Sequence, residues 1–365
     1  MARTPGLRFW RRSNPLLTVQ DVAGLVTAKP AAAAQALETD LLGSAWGAPR
    51  LIRGPRNSRL YMECFAPSDE RRTPGTLVFT HGWCVTEAIW HYQKTASPMT
   101  DFAKITWDLP GHGHSTPVTR SHLTLDRAVD CLARVVDAAD GSVVLVGHSL
   151  GGVLSLGYLV RHRETARRRV RGLVLVATPL VHMARRVTGR WPGSSLGARA
   201  LGLGMQLMVE NSLVDRWFAA EVGNPSVRGM SYRVMRMGFG SRPRADHVRF
   251  VRDMAASVPA GVRADTFRAM TGFDLRPILP EVRLPTLVIL GAKDWLVSGA
   301  ESRSLAALLP RGHAAEIPEA GHAPFLERHE EFNEIVARFT ARRFGSSSRS
   351  PRPMDDAGVG SPPFG

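Results

Sequence analysis

From about Leu51 onward, short apolar runs alternate with longer segments of helical periodicity. The runs fall at residues 59–66, 76–80, 104–108, 142–146, 172–177, 285–290 and 314–317. Several are continuous and rich in β-branched residues: TLVF, SVVLV, LVLVA and TLVIL. A strand with one wet face alternates apolar and polar positions. An unbroken apolar strand is covered on both faces, as in a parallel sheet between two layers of helices. Helical spacing fills the intervals, at 125–138, 150–161 and 324–343. This alternation predicts βαβ units and an α/β fold with a mostly parallel central sheet.

The rhythm stops between about Leu180 and Leu279, where no buried strand is legible. The segment reads as helices separated by Gly and Pro, with Trp191, Trp217 and 8 of the 12 methionines. It is predicted to be a helical cap, residues 180–279, inserted into a discontinuous core of residues 51–179 and 280–345. Residues 1–50 are expected to be an N-terminal extension, partly helical between 19 and 42. The Ser-, Pro- and Gly-rich tail, 346–365, has the composition of a disordered segment.

With 365 residues, 44% of them hydrophobic, the chain can build one sizeable core. The formal net charge is +15, which raises nucleic-acid binding as a reading. Only Lys29, Lys94, Lys104 and Lys293 are lysines, so arginine supplies nearly all of the 47 basic residues. The arginines are scattered and form no long basic block interleaved with aromatics. A solvated basic surface is therefore preferred and no nucleic-acid partner is expected. Attraction to anionic lipid or acidic substrates stays open. The cap carries 15 Arg against seven acidic residues.

Cys64, Cys84 and Cys131 are odd in number and irregularly spaced, which fits neither a disulfide framework nor a metal-ligand set. A cytoplasmic setting is expected, with peripheral membrane contact as an option. The basic start, residues 3–12, is not followed by the apolar run of an export signal. No 18-residue apolar stretch exists to span a membrane.

Gly147-His148-Ser149-Leu150-Gly151 follows the run SVVLV and opens a helix. That context is what a nucleophile elbow needs: a sharp strand-to-helix turn that exposes a serine hydroxyl above the sheet. A tight turn carrying an inert Ser is the competing reading. A serine needs a base, and Gly321-His322-Ala323-Pro324 offers one. Pro324 suits a first helical turn and leaves His322 on the loop before it. Asp294 follows the run TLVIL in a turn, placed to orient that base, although a turn or capping Asp is common. Asp265 and Asp274 are weaker candidates. Thr80-His81-Gly82-Trp83 follows the run TLVF. The backbone N–H groups of Trp83 and Leu150 are the expected oxyanion donors. His81, Gly82 and His148 are the expected substrate contacts, with packing or a loop hydrogen bond as the alternative for His81.

Together these residues resemble the α/β-hydrolase family, specifically a capped serine hydrolase of esterase or lipase type. The order Ser149, Asp294, His322 is similar to the family's order of nucleophile, acid and base. Asp108-Leu109-Pro110-Gly111-His112-Gly113-His114-Ser115, Trp90, and Glu327 after Gly321-His322 also match, and the likeness covers roughly residues 51–344 apart from the cap. The resemblance implies a structural DLPGHGHS turn, with no catalytic role for His112 or His114. It implies hydrolysis of a carboxylic ester through an acyl-enzyme, with no metal or organic cofactor. The methionines of the cap suggest an apolar acyl or alcohol group, which a stretch such as 201–208 could line unless these residues are simply the cap's own core. An acyltransferase, thioesterase, C–C bond hydrolase or perhydrolase on the same fold stays open. A non-catalytic binding protein is less favoured because all three triad positions are filled.

Overall fold

The computed structural model describes residues 42, 45, 47–69, 75–116, 124–181, 229–270 and 272–345. Eight strands form one sheet in the order β1-β2-β4-β3-β5-β6-β7-β8. They are β1 (Ala48–Arg53), β2 (Arg59–Phe65), β3 (Thr76–Thr80), β4 (Ala103–Trp107), β5 (Val143–His148), β6 (Val170–Val176), β7 (Thr286–Gly291) and β8 (Gly312–Ile317). The β1·β2 and β2·β4 pairs are antiparallel and all the others are parallel. The mostly parallel α/β architecture read from the apolar runs is thus the observed one.

The continuous runs are buried on both faces. In β5, Val143 and Leu145 pack into one hydrophobic cluster and Val144 and Val146 into the other. Helices α2 (Leu125–Ala138) and α3 (Leu150–Arg161) cover the first face, and α10 (His329–Phe344) covers the second. The short α1 (His91–Thr95) and α4 (Arg163–Arg169) lie along the chain between strands.

Chain order decides where a site can form. From β3 the chain moves outward to β4 and then returns past β3 to β5. Connections leaving neighbouring strands in opposite directions open a crevice beyond their C-terminal ends. That crevice lies at β3 and β5, where Thr80, the last residue of β3, is in register with Gly147, one residue before the end of β5.

Two expectations about elements need correction, and one further helix was not expected. The sheet begins at Ala48, within the stretch assigned to the extension. The first strand is a half-exposed edge containing Pro49, so its apolar signal is thin. The last helical segment is two helices, α9 (Pro324–Glu327) and α10, because Arg328 leaves helical geometry at φ −133°, ψ 51°. Helix α8 (Gly299–Leu308) had no clear apolar stripe; it starts at Ser298, whose hydroxyl caps the Glu301 N–H at 3.2 Å.

Between β6 and β7 lies an inserted helical region with α5 (Met230–Met237), α6 (Ala245–Ser257) and α7 (Ala260–Ala269). Trp191, Trp217 and the apolar stretch 201–208 lie outside the described residues, as do the expected helix at 19–41 and the tail. The three cysteines are free and buried, and burial pushes the Cys64 and Cys131 thiols up to about 12. No helix among the described residues is long and apolar enough to cross a membrane.

Helix α6 is seated on the core through His247, whose Nε2 shares a 3.0 Å hydrogen bond with the Tyr92 hydroxyl. Tyr92 also stacks on His329, with ring centroids 3.7 Å apart. Burial, then Arg244, His329 and His91, lowers His247 to about 4, against the opposing pull of Asp246. The folded protein therefore holds this histidine neutral, whereas the unfolded chain protonates it near its ordinary value. Its contribution is complete above about pH 6.5 and lost as pH falls toward about 4. The urea midpoint of wild type should drop more steeply over that window than that of His247→Gln. Parallel curves would remove His247 as a cause.

Candidate active site

The candidates converge on the C-terminal edge of the sheet. Ser149 follows β5 with φ 51° and ψ −113°. A positive φ is strained for a residue with a Cβ, at about 1–3 kcal/mol. The surroundings enforce it. The Ser149 N–H donates to the Val176 carbonyl at the end of β6 at 2.8 Å. Its own carbonyl accepts from Gly152 N–H at 3.0 Å and Val153 N–H at 3.3 Å, the first turn of α3. A Cβ at Gly151 would collide with the Thr80 carbonyl, so the helix can start this close to β3 only without a side chain. Leu150 is the first helical residue, and a helix leaves its own first N–H groups unpartnered.

Because Thr80 and Gly147 pair, Gly82 comes beside Ser149 two residues further along. A Cβ at Gly82 would lie 3.4 Å from Ser149 Cβ and 2.8 Å from His148 Nδ1. Trp83 comes next. Its indole N–H donates to the Arg263 carbonyl in α7 at 2.9 Å, and its ring lies 5.4 Å from that of Phe267. The inserted region thus fixes the loop that carries one candidate oxyanion donor.

Strands β7 and β8 are neighbours, with Gly291 in register with Ile317, and the loops beyond them carry Asp294 and His322. His322 Nδ1–H donates to Asp294 Oδ2 at 2.9 Å. Asp294 Oδ1 accepts from the N–H groups of Leu296 at 2.8 Å and Val297 at 3.0 Å. The carboxylate is 1% exposed and the imidazole 15%. With its proton on Nδ1, the ring keeps a basic lone pair on Nε2.

The loop bearing His322 is held at four points. Its N–H donates to the Gly238 carbonyl at 2.7 Å. Its carbonyl accepts from His148 Nε2 at 3.0 Å. Glu327 then clamps the loop to the inserted region. One carboxylate oxygen accepts from Gly321 N–H at 2.8 Å and the other from Gly240 N–H at 2.6 Å. Burial pushes this carboxyl above the usual carboxylate range, and the backbone N–H groups pull the other way. The sequence marked Glu327 only through the resemblance. Nothing in it pointed to the Gly238 and Gly240 partners, which lie over 80 residues away along the chain.

Two expected substrate contacts are placed differently. His81 is fully buried; Nδ1–H donates to the Gly82 carbonyl at 2.8 Å and Nε2 accepts from Leu109 N–H at 2.9 Å. No polar atom of His81 is left for a substrate, and it holds two loops together instead. His148 is buried behind the elbow, and burial with His322 nearby lowers it well below the ordinary histidine value. Gly82 stays beside Ser149. Asp265 pairs with Arg268 at 2.8 Å and Asp274 is spent on Arg276, so neither faces His322. The DLPGHGHS turn is structural: Asp108 accepts from the N–H groups of Glu87 at 2.9 Å and His114 at 2.8 Å. Behind it, Lys94 pairs with Glu87 at 2.8 Å and Glu63 at 3.4 Å, entirely within the core.

The alpha/beta hydrolase family model matches residues 77–335. The chain belongs to this family. A pimeloyl-[acyl-carrier protein] methyl ester esterase from Stenotrophomonas maltophilia is 31% identical over 271 residues, 73% of this hydrolase and 92% of the relative. One of the same name from Shewanella woodyi is 27% identical over 283 residues, covering 76% and 95%. Among solved structures, the esterase EaEST from Exiguobacterium antarcticum aligns with a TM-score of 0.64 at 18% identity, covering 80% of this hydrolase and 98% of that chain. Esterase RhEst1 from Rhodococcus sp. ECU1013 gives 0.62 at 22%, covering 81% and 99%. At those identities the structural likeness shows the fold.

Two outcomes are expected from this geometry. Glu327→Ala should lower kcat by roughly tenfold, from loosening of the loop by about 1–2 kcal/mol. KM for a small ester should change little. A tenfold rise in KM with kcat unchanged would place Glu327 in binding instead. Ser149→Gly should unfold at higher urea than Ser149→Ala, by about 1 kcal/mol, since glycine relieves the positive φ at some entropic cost. Equal midpoints would mean that the elbow stores no strain.

Proposed function

We propose a two-step acyl-enzyme route for this protein, an esterase-type hydrolase acting on a carboxylic ester. Ser149 is the nucleophile, His322 the general base and Asp294 the residue that orients and stabilises the imidazolium. The observation that carries the assignment is the buried 2.9 Å Asp294–His322 hydrogen bond at the sheet edge where Ser149 is held at positive φ.

Ser149 Oγ attacks the acyl carbon while Nε2 of His322 takes the hydroxyl proton, and the carbonyl π pair moves onto oxygen. The Trp83 and Leu150 N–H groups receive that oxyanion. Their support is the placement of Gly82 against Ser149 and of Leu150 at the start of α3. Collapse expels the alcohol, which takes the proton from His322. Water, deprotonated by the same Nε2, then attacks the acyl-enzyme; the bond to Ser149 Oγ breaks, Oγ takes the proton back from His322, and the acid is released.

The substrate has an apolar acyl or alcohol group. Trp83, on the loop beside Ser149, packs against Phe267 on an apolar cluster that also holds Met270, which supports this reading. The two named relatives act, by their names, on a methyl ester of an acyl group held on a carrier protein. That also supports an acyl substrate. An acyltransferase, thioesterase, C–C bond hydrolase or perhydrolase would use the same constellation. Product analysis with competing alcohol, thiol or peroxide separates them.

Intact-mass labelling with a fluorophosphonate should give one adduct on wild type and none on Ser149→Ala. An adduct persisting on the variant would refute Ser149 as the nucleophile. Asp294→Asn should keep the fold and lose roughly 10³-fold or more in kcat, because the imidazole is then held in the wrong tautomer. A loss below tenfold would dismiss Asp294. Medium-chain esters should be preferred over acetyl esters in kcat/KM, and the reverse order would overturn the apolar-chain assignment.

A further inference from the structure

Among the described residues, three large apolar side chains are exposed: Met237, Trp295 and Leu308. Two of them, Trp295 at 54% and Met237 at 39%, line one depression of about 280 Å³. Arg236 and Lys293 line it as well. Trp295 directly follows Asp294, and Met237 ends α5 one residue before the Gly238 carbonyl that holds His322. The depression therefore lies on the outer side of the loops that support the acid–base pair.

Its charge is positive. The Arg236 guanidinium donates to the neutral carbonyls of Phe239 at 3.4 Å and Ser241 at 2.9 Å. Lys293 lies 3.7 Å from Glu319, both half exposed. At the exposed rim two cations thus stand against the Glu319 carboxylate, with the partly buried Glu327 carboxyl behind them on the Gly240 N–H, on a chain of formal net charge +15.

We propose that this patch docks the protein on an anionic lipid surface. Trp295 and Met237 enter the boundary between headgroups and acyl chains, and Arg236 and Lys293 meet lipid phosphates. A tryptophan joins a large apolar ring to one N–H donor, which suits that boundary. The long basic side chains can keep their charges among the headgroups while their stems lie on the apolar patch. Size argues against a protein partner. A stable protein interface needs about 800 Å² on each side, far more than two side chains around a shallow depression offer. A lipid surface needs only a few anchors plus diffuse attraction for the whole basic chain. The docking does not rest on the ester assignment.

The test is co-sedimentation of the full chain with vesicles of phosphatidylcholine alone and of phosphatidylcholine mixed with phosphatidylglycerol. Wild type should bind the mixed vesicles and release as salt rises. Trp295→Ser should bind at least tenfold more weakly and Lys293→Gln several-fold more weakly. Trp295→Ser should still hydrolyse a water-soluble ester like wild type, which shows that it is folded. The emission lost in Trp295→Phe should be the part that shifts to the blue on vesicle addition. Wild type that stays with neither vesicle, or Trp295→Ser that binds like wild type, would overturn the proposal. Equal binding to phosphatidylcholine alone would do so too, because the charge argument would fail. Vesicle binding by Ser149→Ala separates this result from any failure of the catalytic reading.

Discussion

The site depends on one backbone constraint, the turn at Ser149. A residue with a Cβ is held at φ 51° between β5 and α3, and every neighbour that keeps it there is backbone. The Val176 carbonyl takes its N–H, and the first turn of α3 takes its carbonyl. A side chain at Gly147 or Gly151 would strike backbone of the turn or of β3. The glycines are therefore conditions for bringing β3, β5 and α3 within contact of one another. Once those elements meet, the Leu150 N–H, the Gly82 loop and the serine share one crevice.

The inserted region forms part of the frame of that crevice. It reaches the sheet edge on both sides of Ser149. Trp83 is tied to α7 through the Arg263 carbonyl, and His322 is tied to the residues after α5 through Gly238 and through Glu327 and Gly240. Motion of this region would be felt by the proposed oxyanion loop and the proposed base together, through two short sets of hydrogen bonds. The proposed lipid surface, on the outer side of the same loops, would place that coupling at a bilayer.

Much of the fold was legible along the chain because a doubly covered parallel strand has an unmistakable apolar run. The strand at Thr76–Thr80 and the helices at Leu125–Ala138 and Leu150–Arg161 fall on the predicted residues. Edge strand β1 escaped because, among the described residues, it pairs on one side alone, and only its Leu51 and Ile52 are buried. The break at Arg328 escaped because periodicity continues across it. Ser149, Asp294 and His322 were legible for a different reason: each lies at or within a few residues of a strand's C-terminal end, and strand ends are where an open parallel sheet collects its functional groups. His81 showed the limit of that argument. It also follows a strand, yet both of its nitrogens are used inside the fold.

The sequence by itself determined which strands are buried, where the elbow must turn and which residue types could act there, because these follow from local periodicity and chain order. Only the tertiary structure decided which histidine faces Asp294, which carboxylates are already spent on arginines, and that Glu327 joins the base loop to an insertion far away in the chain. Hydrogen bonds of 2.6 and 2.9 Å between residues tens of positions apart leave no periodic trace. They exist only after the sheet has fixed the strand ends side by side.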